Sequence, residues 1–219
     1  MRLRKFGHSC LLLEERSESL LFDPGQSDFL DQNATPDTFA SVSLIVVTHW
    51  HPDHADPDLI RRIVERSGAK VLANADGQKE LRSAGVEANV AQDGVRSYGA
   101  FKLQVVRSPH APLLGSIPPE NTAYLVNDRL LNPGDSFDGR LADFKGVPVL
   151  ALPVTAPWTT ELDVAGFADR VGPQRVVPIH DGYVREFFRK RRYLAYGQYF
   201  ENRKIRFEGE AGSGAAIEV

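Results

Sequence analysis

With one cysteine, Cys10, among 219 residues, the chain has no internal disulfide, which fits a reducing compartment. No apolar run approaches the roughly 18 residues that would mark a membrane span. The charged start Met1-Arg2-Leu3-Arg4-Lys5-Phe6 has no apolar signal-peptide core behind it. A cytoplasmic location is therefore expected. Neither sign of charge dominates, and a net charge of -3 gives no reason to expect nucleic acid or an anionic membrane as partner. Linkers and fixed-period repeats are also missing, so a single domain over residues 1–219 is expected. The remaining composition, 42% apolar and 25% charged, is that of an ordinary globular protein with chain enough for one large core.

Element patterns alternate along the chain. Arg2 to Phe6, Cys10 to Glu14 and Leu20 to Phe22 read as strands, and Ser43 to Val47 as a buried one. Residues 26–41 are polar and predict a loop with a short helix. Asp56-Pro57-Asp58 marks a helix start, followed by Leu59, Ile60, Ile63 and Val64 at helical spacing. Val71 to Ala73 predicts a strand and Gly77 to Ser83 a short helix. Strands follow over Glu87 to Ala91, Val95 to Tyr98 and Phe101 to Arg107. A hairpin over Asn121 to Val126 and Arg129 to Leu131 turns at Asn127-Asp128. A further strand, Val147 to Leu152, a helix, Val164 to Val171, and a strand, Arg175 to Ile179, come next. Val184, Phe187 and Phe188 mark an amphipathic helix, and Lys204 to Glu208 a strand before a Gly/Ala-rich tail. The order of strands, α/β, strands, α/β describes two similar halves around one core.

Chemistry concentrates in Thr48-His49-Trp50-His51-Pro52-Asp53-His54, directly after the apolar strand. Three of the six histidines and a carboxylate fall there within six residues. A polar loop with structural histidines would crowd several imidazoles into one turn without partners, whereas nitrogen and oxygen donors folded toward one point suit zinc or a neighbouring transition metal. His110, Asp135 and His180 stand just past other strands, so His49, His51, Asp53, His54, His110, Asp135 and His180 form one candidate set at strand ends. Seven donors exceed what one tetrahedral zinc takes, which implies two ions, with Asp135 as a carboxylate able to bridge them. Asp23, at a strand end before Pro24-Gly25, is either a turn residue or an acceptor that orients a ligand histidine.

The HxHxDH cluster, the later lone histidine, the Gly134-Asp135 pair and the last histidine, in this order, resemble the metallo-β-lactamase-fold hydrolase superfamily across essentially the whole chain. Phe6-Gly7-His8-Ser9 and the compact length further resemble the branch that contains L-ascorbate 6-phosphate lactonase-like and phospholipase D-like members. The resemblance implies an α/β (α+β) fold, a four-layer αβ/βα sandwich with metals at one edge of its sheets. It implies His49, His51 and His110 on one divalent ion, Asp53, His54 and His180 on the other, and Asp135 between them. Zinc comes first among the ions, with manganese, iron or nickel also suited. A hydroxide shared by two such ions would attack a small ester, lactone or phosphoester, with Asp53 taking the water proton and passing it on.

His8 and Tyr183 are candidate donors beside the substrate, and Arg185 a candidate contact for an anionic group. Trp50 and Trp158 are candidates for pocket walls or for packing. Three other functions share the donor set: a nuclease or phosphodiesterase, a di-iron redox protein and a metal-binding relative without catalysis. The chain has no strongly basic surface signature for the first, and keeps the histidines that flavodiiron relatives partly replace by carboxylates.

Overall fold

Alternate residues of the strands face two different hydrophobic layers, and this splits the structure into four. A computed structural model describes residues 1–209 and 213–219. In β2 (Leu11–Glu15) and β4 (Leu44–Val46), the side chains of Leu11, Leu13, Leu44 and Val46 point into a central core, while Leu12 and Ile45 point the other way. β11 (Val149–Pro153) repeats the pattern, with Val149 and Ala151 central and Leu150 and Leu152 outward. Strands that read as continuous apolar runs are those buried on both faces.

One sheet has the order β14-β1-β2-β3-β4-β5-β6. Its remaining members are β1 (Arg2–Lys5), β3 (Glu18–Phe22), β5 (Lys70–Ala73), β6 (Asn89–Val90) and β14 (Ile217–Glu218). The other has the order β13-β12-β11-β10-β9-β8-β7, built with β7 (Gly94–Tyr98), β8 (Phe101–Arg107), β9 (Thr122–Val126), β10 (Leu130–Asn132), β12 (Arg175–Ile179) and β13 (Arg206–Phe207). Each sheet is antiparallel at one end and parallel at the other: β3 to β6 in the first, β10 to β13 in the second. The two similar halves read from the sequence are these two sheets. Between them lie Leu3, Phe22 and Leu72 from one side and Phe101, Tyr124 and Val177 from the other.

The helices cover the outer faces. α1 (Pro57–Ser67) and α2 (Ala75–Ser83) lie on the first sheet, burying Leu59, Ile60, Ile63 and Leu81. α3 (Glu161–Val171) and α4 (Glu186–Glu201) lie on the second. The sandwich is the αβ/βα arrangement expected. Local signals set several boundaries. The Asp56 carboxylate accepts from the N–H groups of Asp58 and Leu59, with Pro57 opening the helix and Gly68 closing it in the left-handed conformation. Thr160 and Asp163 form a reciprocal capping box on α3. Asn127 and Asp128 both take positive φ in the hairpin turn between β9 and β10.

Two expectations need correction. α4 does not bury the apolar residues that announced it: Phe187 is 71% exposed, and the buried residues are Tyr196 and Phe200, one turn apart near the other end. The helix starts only at Glu186, and Phe188 lies under the Arg192 guanidinium, 4.9 Å from its ring centroid. The Gly/Ala-rich tail also contributes β14, whose Ile217 pairs with Leu3.

Phe200→Ala should therefore destabilise the fold by about 3–5 kcal/mol through a cavity in the outer layer, while Phe187→Ala should stay within about 0.5 kcal/mol. Urea unfolding of both variants checks this. Equal losses would mean that α4 packs by its other face.

Candidate metal centre

Every expected ligand sits on a turn that leaves a strand at the same edge of the sandwich. His49, His51, Asp53 and His54 follow β4, His110 follows β8, Asp135 follows β10 and His180 follows β12. Such an edge converges because parallel neighbours deliver their carboxyl ends side by side. The turns are held by close backbone approach. A Cβ on Gly25 would come 2.2 Å from the Asp53 carbonyl oxygen, and one on Gly134 would come 2.2 Å from Asn121 Oδ1. That Asn121 oxygen accepts from the Asp135 N–H at 3.1 Å, while its Nδ2 donates to the Ser108 and Pro133 carbonyls, so one buried amide fixes the turns that carry both His110 and Asp135. Asp23 and His180 take positive φ, 47° and 58°, conformations that cost a side-chain-bearing residue energy and recur at functional sites.

The donors fall into two groups whose ligand atoms lie within 4.8 Å of one another: His49, His51, His110 and Asp135, and His8, Asp53, His54 and His180. Asp135 joins them. Its Oδ2 lies 3.0 Å from His180 Nε2, 3.5 Å from His110 Nε2 and 3.8 Å from His49 Nε2, and its Oδ1 lies 3.4 Å from His54 Nε2. The Nε2 atoms of His49, His54 and His110 are buried without a hydrogen-bond partner. Buried polar atoms in native proteins almost always have partners, so imidazole lone pairs converging on one carboxylate are suited to a cation.

The opposite ring nitrogens explain the orientation. His54 Nδ1 donates to Asp23 Oδ2 at 3.0 Å, His49 Nδ1 to Thr48 Oγ1 at 3.0 Å, His110 Nδ1 to the Ala111 carbonyl at 2.6 Å and His180 Nδ1 to the Thr155 carbonyl at 2.9 Å. Each acceptor holds a ring hydrogen on Nδ1 and so reserves Nε2 as the nitrogen that a cation can take once it is deprotonated, the usual support for a metal-bound histidine. Asp23 also accepts from the Thr48 N–H and hydroxyl, so of the two readings of Asp23 the structure shows the orienting acceptor. Trp158 Nε1 donates to Asp135 Oδ2 at 3.2 Å and its ring packs beside His110 and His180, whereas Trp50 packs against the α1 layer. The Trp158 hydrogen bond is a site contact that local sequence gave no sign of.

His8 does not reach a substrate-facing position. It is 1% exposed and lies 3.0 Å from Asp53 Oδ2 through Nε2. Tyr183 is half exposed, its ring 5.3 Å from His8 and 5.4 Å from His180, at the mouth of the cluster. Burial, followed by the nearby Asp53 carboxylate, pushes the Tyr183 phenol up. Arg185 is exposed at the start of α4.

Charges among the donors oppose burial. Burial would neutralise His54, but Asp135, Asp53 and Asp23 outweigh it and raise its pKa well above the ordinary value. Burial is likewise overcome at His180, mainly by Asp135. The histidines in turn hold Asp53 and Asp135 below the usual carboxylate range against the same penalty. Burial pushes His49 and His51 down.

Two tests follow from this arrangement. Raised histidine pKa values mean that protons stabilise the metal-free site at low pH and leave as pH rises through them. A cation must displace those protons, so zinc affinity should go on rising with pH above the ordinary imidazole pKa of about 6.5, with proton release, measured by calorimetry in buffers of different ionisation enthalpy. Affinity independent of pH would refute the charge assignment. Asp23→Asn turns one acceptor into a donor facing N–H or O–H groups and should cost about 10–100-fold in zinc affinity, read by competition with a chromogenic chelator.

Residues 2–180 match the family model of a β-lactamase superfamily domain. The Mycobacterium tuberculosis protein Rv0786c is 34% identical over 196 residues, covering 84% of this chain and 85% of that protein. A UPF0173 metal-dependent hydrolase of Pyrococcus furiosus is 30% identical over 186 residues, 80% of this chain and 81% of its own length. Among solved structures, a metallo hydrolase of Ignicoccus hospitalis superposes with a TM-score of 0.75 at 17% identity over 100% of this chain and 98% of the other. The Bacillus subtilis metallo-β-lactamase fold protein YhfI gives 0.70 at 16% identity, over 100% and 98%; at these identities the likeness shows the fold. The chain is thus a member of the metallo-β-lactamase-fold superfamily of metal-dependent hydrolases.

Proposed function

We propose that the chain cleaves a small ester, lactone or phosphoester with water activated between two divalent ions, zinc first among them. The observation that carries this reading is Asp135, whose two oxygens face histidines of both donor groups. His49, His51 and His110 would hold one ion and Asp53, His54 and His180 the other. Two such ions would supply Lewis acidity and lower the pKa of a bound water to near 7, low enough to ionise at neutral pH.

The chain's own groups do the rest. Asp53, held ionised by the surrounding histidines of the second donor group, can take the water proton transiently and return it to the leaving oxygen. Tyr183 keeps its phenolic proton, because its pKa is pushed up, and offers it as a hydrogen bond at the mouth. Trp158 walls the site beside His110 and His180 and steadies Asp135 through its indole N–H. Arg185, exposed two residues beyond Tyr183, gives an anionic substrate group a guanidinium to approach. His51, the least buried of the three histidines around the first ion, leaves that side open to a small molecule.

Protein purified without added metal should carry close to two divalent ions per chain and hydrolyse at least one of a panel of esters, lactones and phosphodiesters. Asp135→Ala should lose most of the metal and lower kcat/KM on the responsive substrate by at least about a hundredfold. Metal content at or below one ion, unchanged by the substitution and not raised by supplementation, would sink the two-ion reading.

A further inference from the structure

His8 lies among the second group of donors, and its Nε2 is close enough to be counted as a fourth ligand beside Asp53, His54 and His180. Its other nitrogen shows otherwise. In His49, His54, His110 and His180, Nδ1 faces an oxygen, so the ring hydrogen sits there and Nε2 is free to bind. His8 is reversed: its Nδ1 accepts the Gly182 N–H at 2.8 Å. A backbone N–H can only donate, so Nδ1 is bare and the hydrogen of the neutral ring must be on Nε2. That hydrogen points at Asp53 Oδ2, 3.0 Å away.

The geometry that enforces this is firmly built. The backbone of His8 accepts the His180 N–H at 3.1 Å, so the turn before β2 and the turn after β12 are tied by two bonds. Asp181 between them is anchored by Lys5 Nζ at 2.6 Å and by the Tyr193 hydroxyl. Position 182 tolerates no side chain without movement, since a Cβ there would lie 2.9 Å from His8 Nδ1. The ring is enclosed by His180, Phe29 and Tyr183, with centroids at 4.3, 5.2 and 5.3 Å.

We infer that His8 is a positioning residue that donates a hydrogen bond from Nε2 to Asp53, orienting that carboxylate toward the second ion, and that it does not bind the ion itself. The inference rests on the two-ion reading above. His8 thereby serves Asp53 as Asp23 serves His54, with the polarity of the hydrogen bond reversed to suit a carboxylate.

The test compares His8→Gln, His8→Ala and, as a true ligand control, His54→Gln, each loaded with Co2+ and followed by visible absorption and metal stoichiometry. The glutamine amide can donate where the imidazole Nε2–H does, so H8Q should keep two ions and a spectrum superimposable on wild type. H8A should still reach two ions at saturation with unchanged band intensity, but bind the second about 10–100-fold more weakly. H54Q should lose that ion or shift its bands. If wild type binds two ions and H8Q behaves like H54Q, His8 is a ligand and the inference is overturned while the two-ion reading stands. A single ion in wild type, unchanged in H54Q, overturns both. A measurement that needs no variant is the 15N correlation spectrum of histidine-labelled wild type before and after zinc loading. His8 should show Nε2–H with bare Nδ1 in both states, and a proton on Nδ1 would overturn the inference.

Discussion

Everything at the edge of this sandwich depends on one unusual condition, the burial of imidazole nitrogens that hydrogen-bond to nothing. A polar atom left unpaired in a protein interior costs on the order of 1–3 kcal/mol, and more when its group is charged, and His49, His54 and His110 each bury one. The fold supports them by giving every opposite ring nitrogen an acceptor, through Thr48, Asp23 and the Ala111 carbonyl. The lone pairs are thus aimed by the bonds behind them. A cation placed among them would turn that cost into coordination, which is how metal binding becomes folding free energy.

Aim of this quality needs rigid mounts, and the two sheets provide them. Leu44 and Val46 lock β4 into the central core while Ile45 locks it against α1, so the turn beginning at Thr48 starts from a strand held on both faces. The same holds for β12, with Val177 and Ile179 central and Val176 outward. The remaining freedom is removed by bonds between turns. Asn74 Nδ2 donates to the carbonyls of Thr48 and Glu120, and Asn121 ties the β8 and β10 exits together. The backbone pays at Asp23 and His180, in left-handed conformations that the surrounding bonds over-determine.

How much of this could be read in advance follows from the range of each interaction. Asp56-Pro57 and Gly68 mark α1 because capping is a contact within three or four residues. HxHxDH is legible because its donors share one turn. The pairing of Asp23 with His54 spans 31 residues and that of Trp158 with Asp135 spans 23, and no local pattern reports either. The 174 residues between His8 and Gly182 hide the bond that fixes the His8 tautomer, so a histidine in Phe6-Gly7-His8-Ser9 reads only as a packing residue or a candidate donor. α4 misled for a related reason. Its apolar residues run past Phe187 and Phe188, and which of them is buried is decided by where α4 meets Phe207 and Val154, not by spacing within the helix.

The contrast between Asp23 and His8 follows from what a histidine and a carboxylate would each need in order to hold an ion. A histidine that is to bind a cation through Nε2 needs an acceptor behind it, and Asp23 faces His54 Nδ1 in that way, its pKa raised by burial against the pull of His54. A carboxylate ligand has lone pairs to spare and needs only direction, so its support is a donor. A cationic donor there would compete with the metal for Asp53 and add charge beside two cations, whereas a neutral imidazole donates without charge. Burial keeps His8 neutral, its pKa pushed down to about 4. The Gly182 N–H then fixes which nitrogen holds the hydrogen, and it comes from the turn that presents His180. The tie makes the placement of His180 and the orientation of Asp53 two consequences of one backbone conformation, so displacing the 180–182 turn would disturb two of the three residues proposed to hold the second ion.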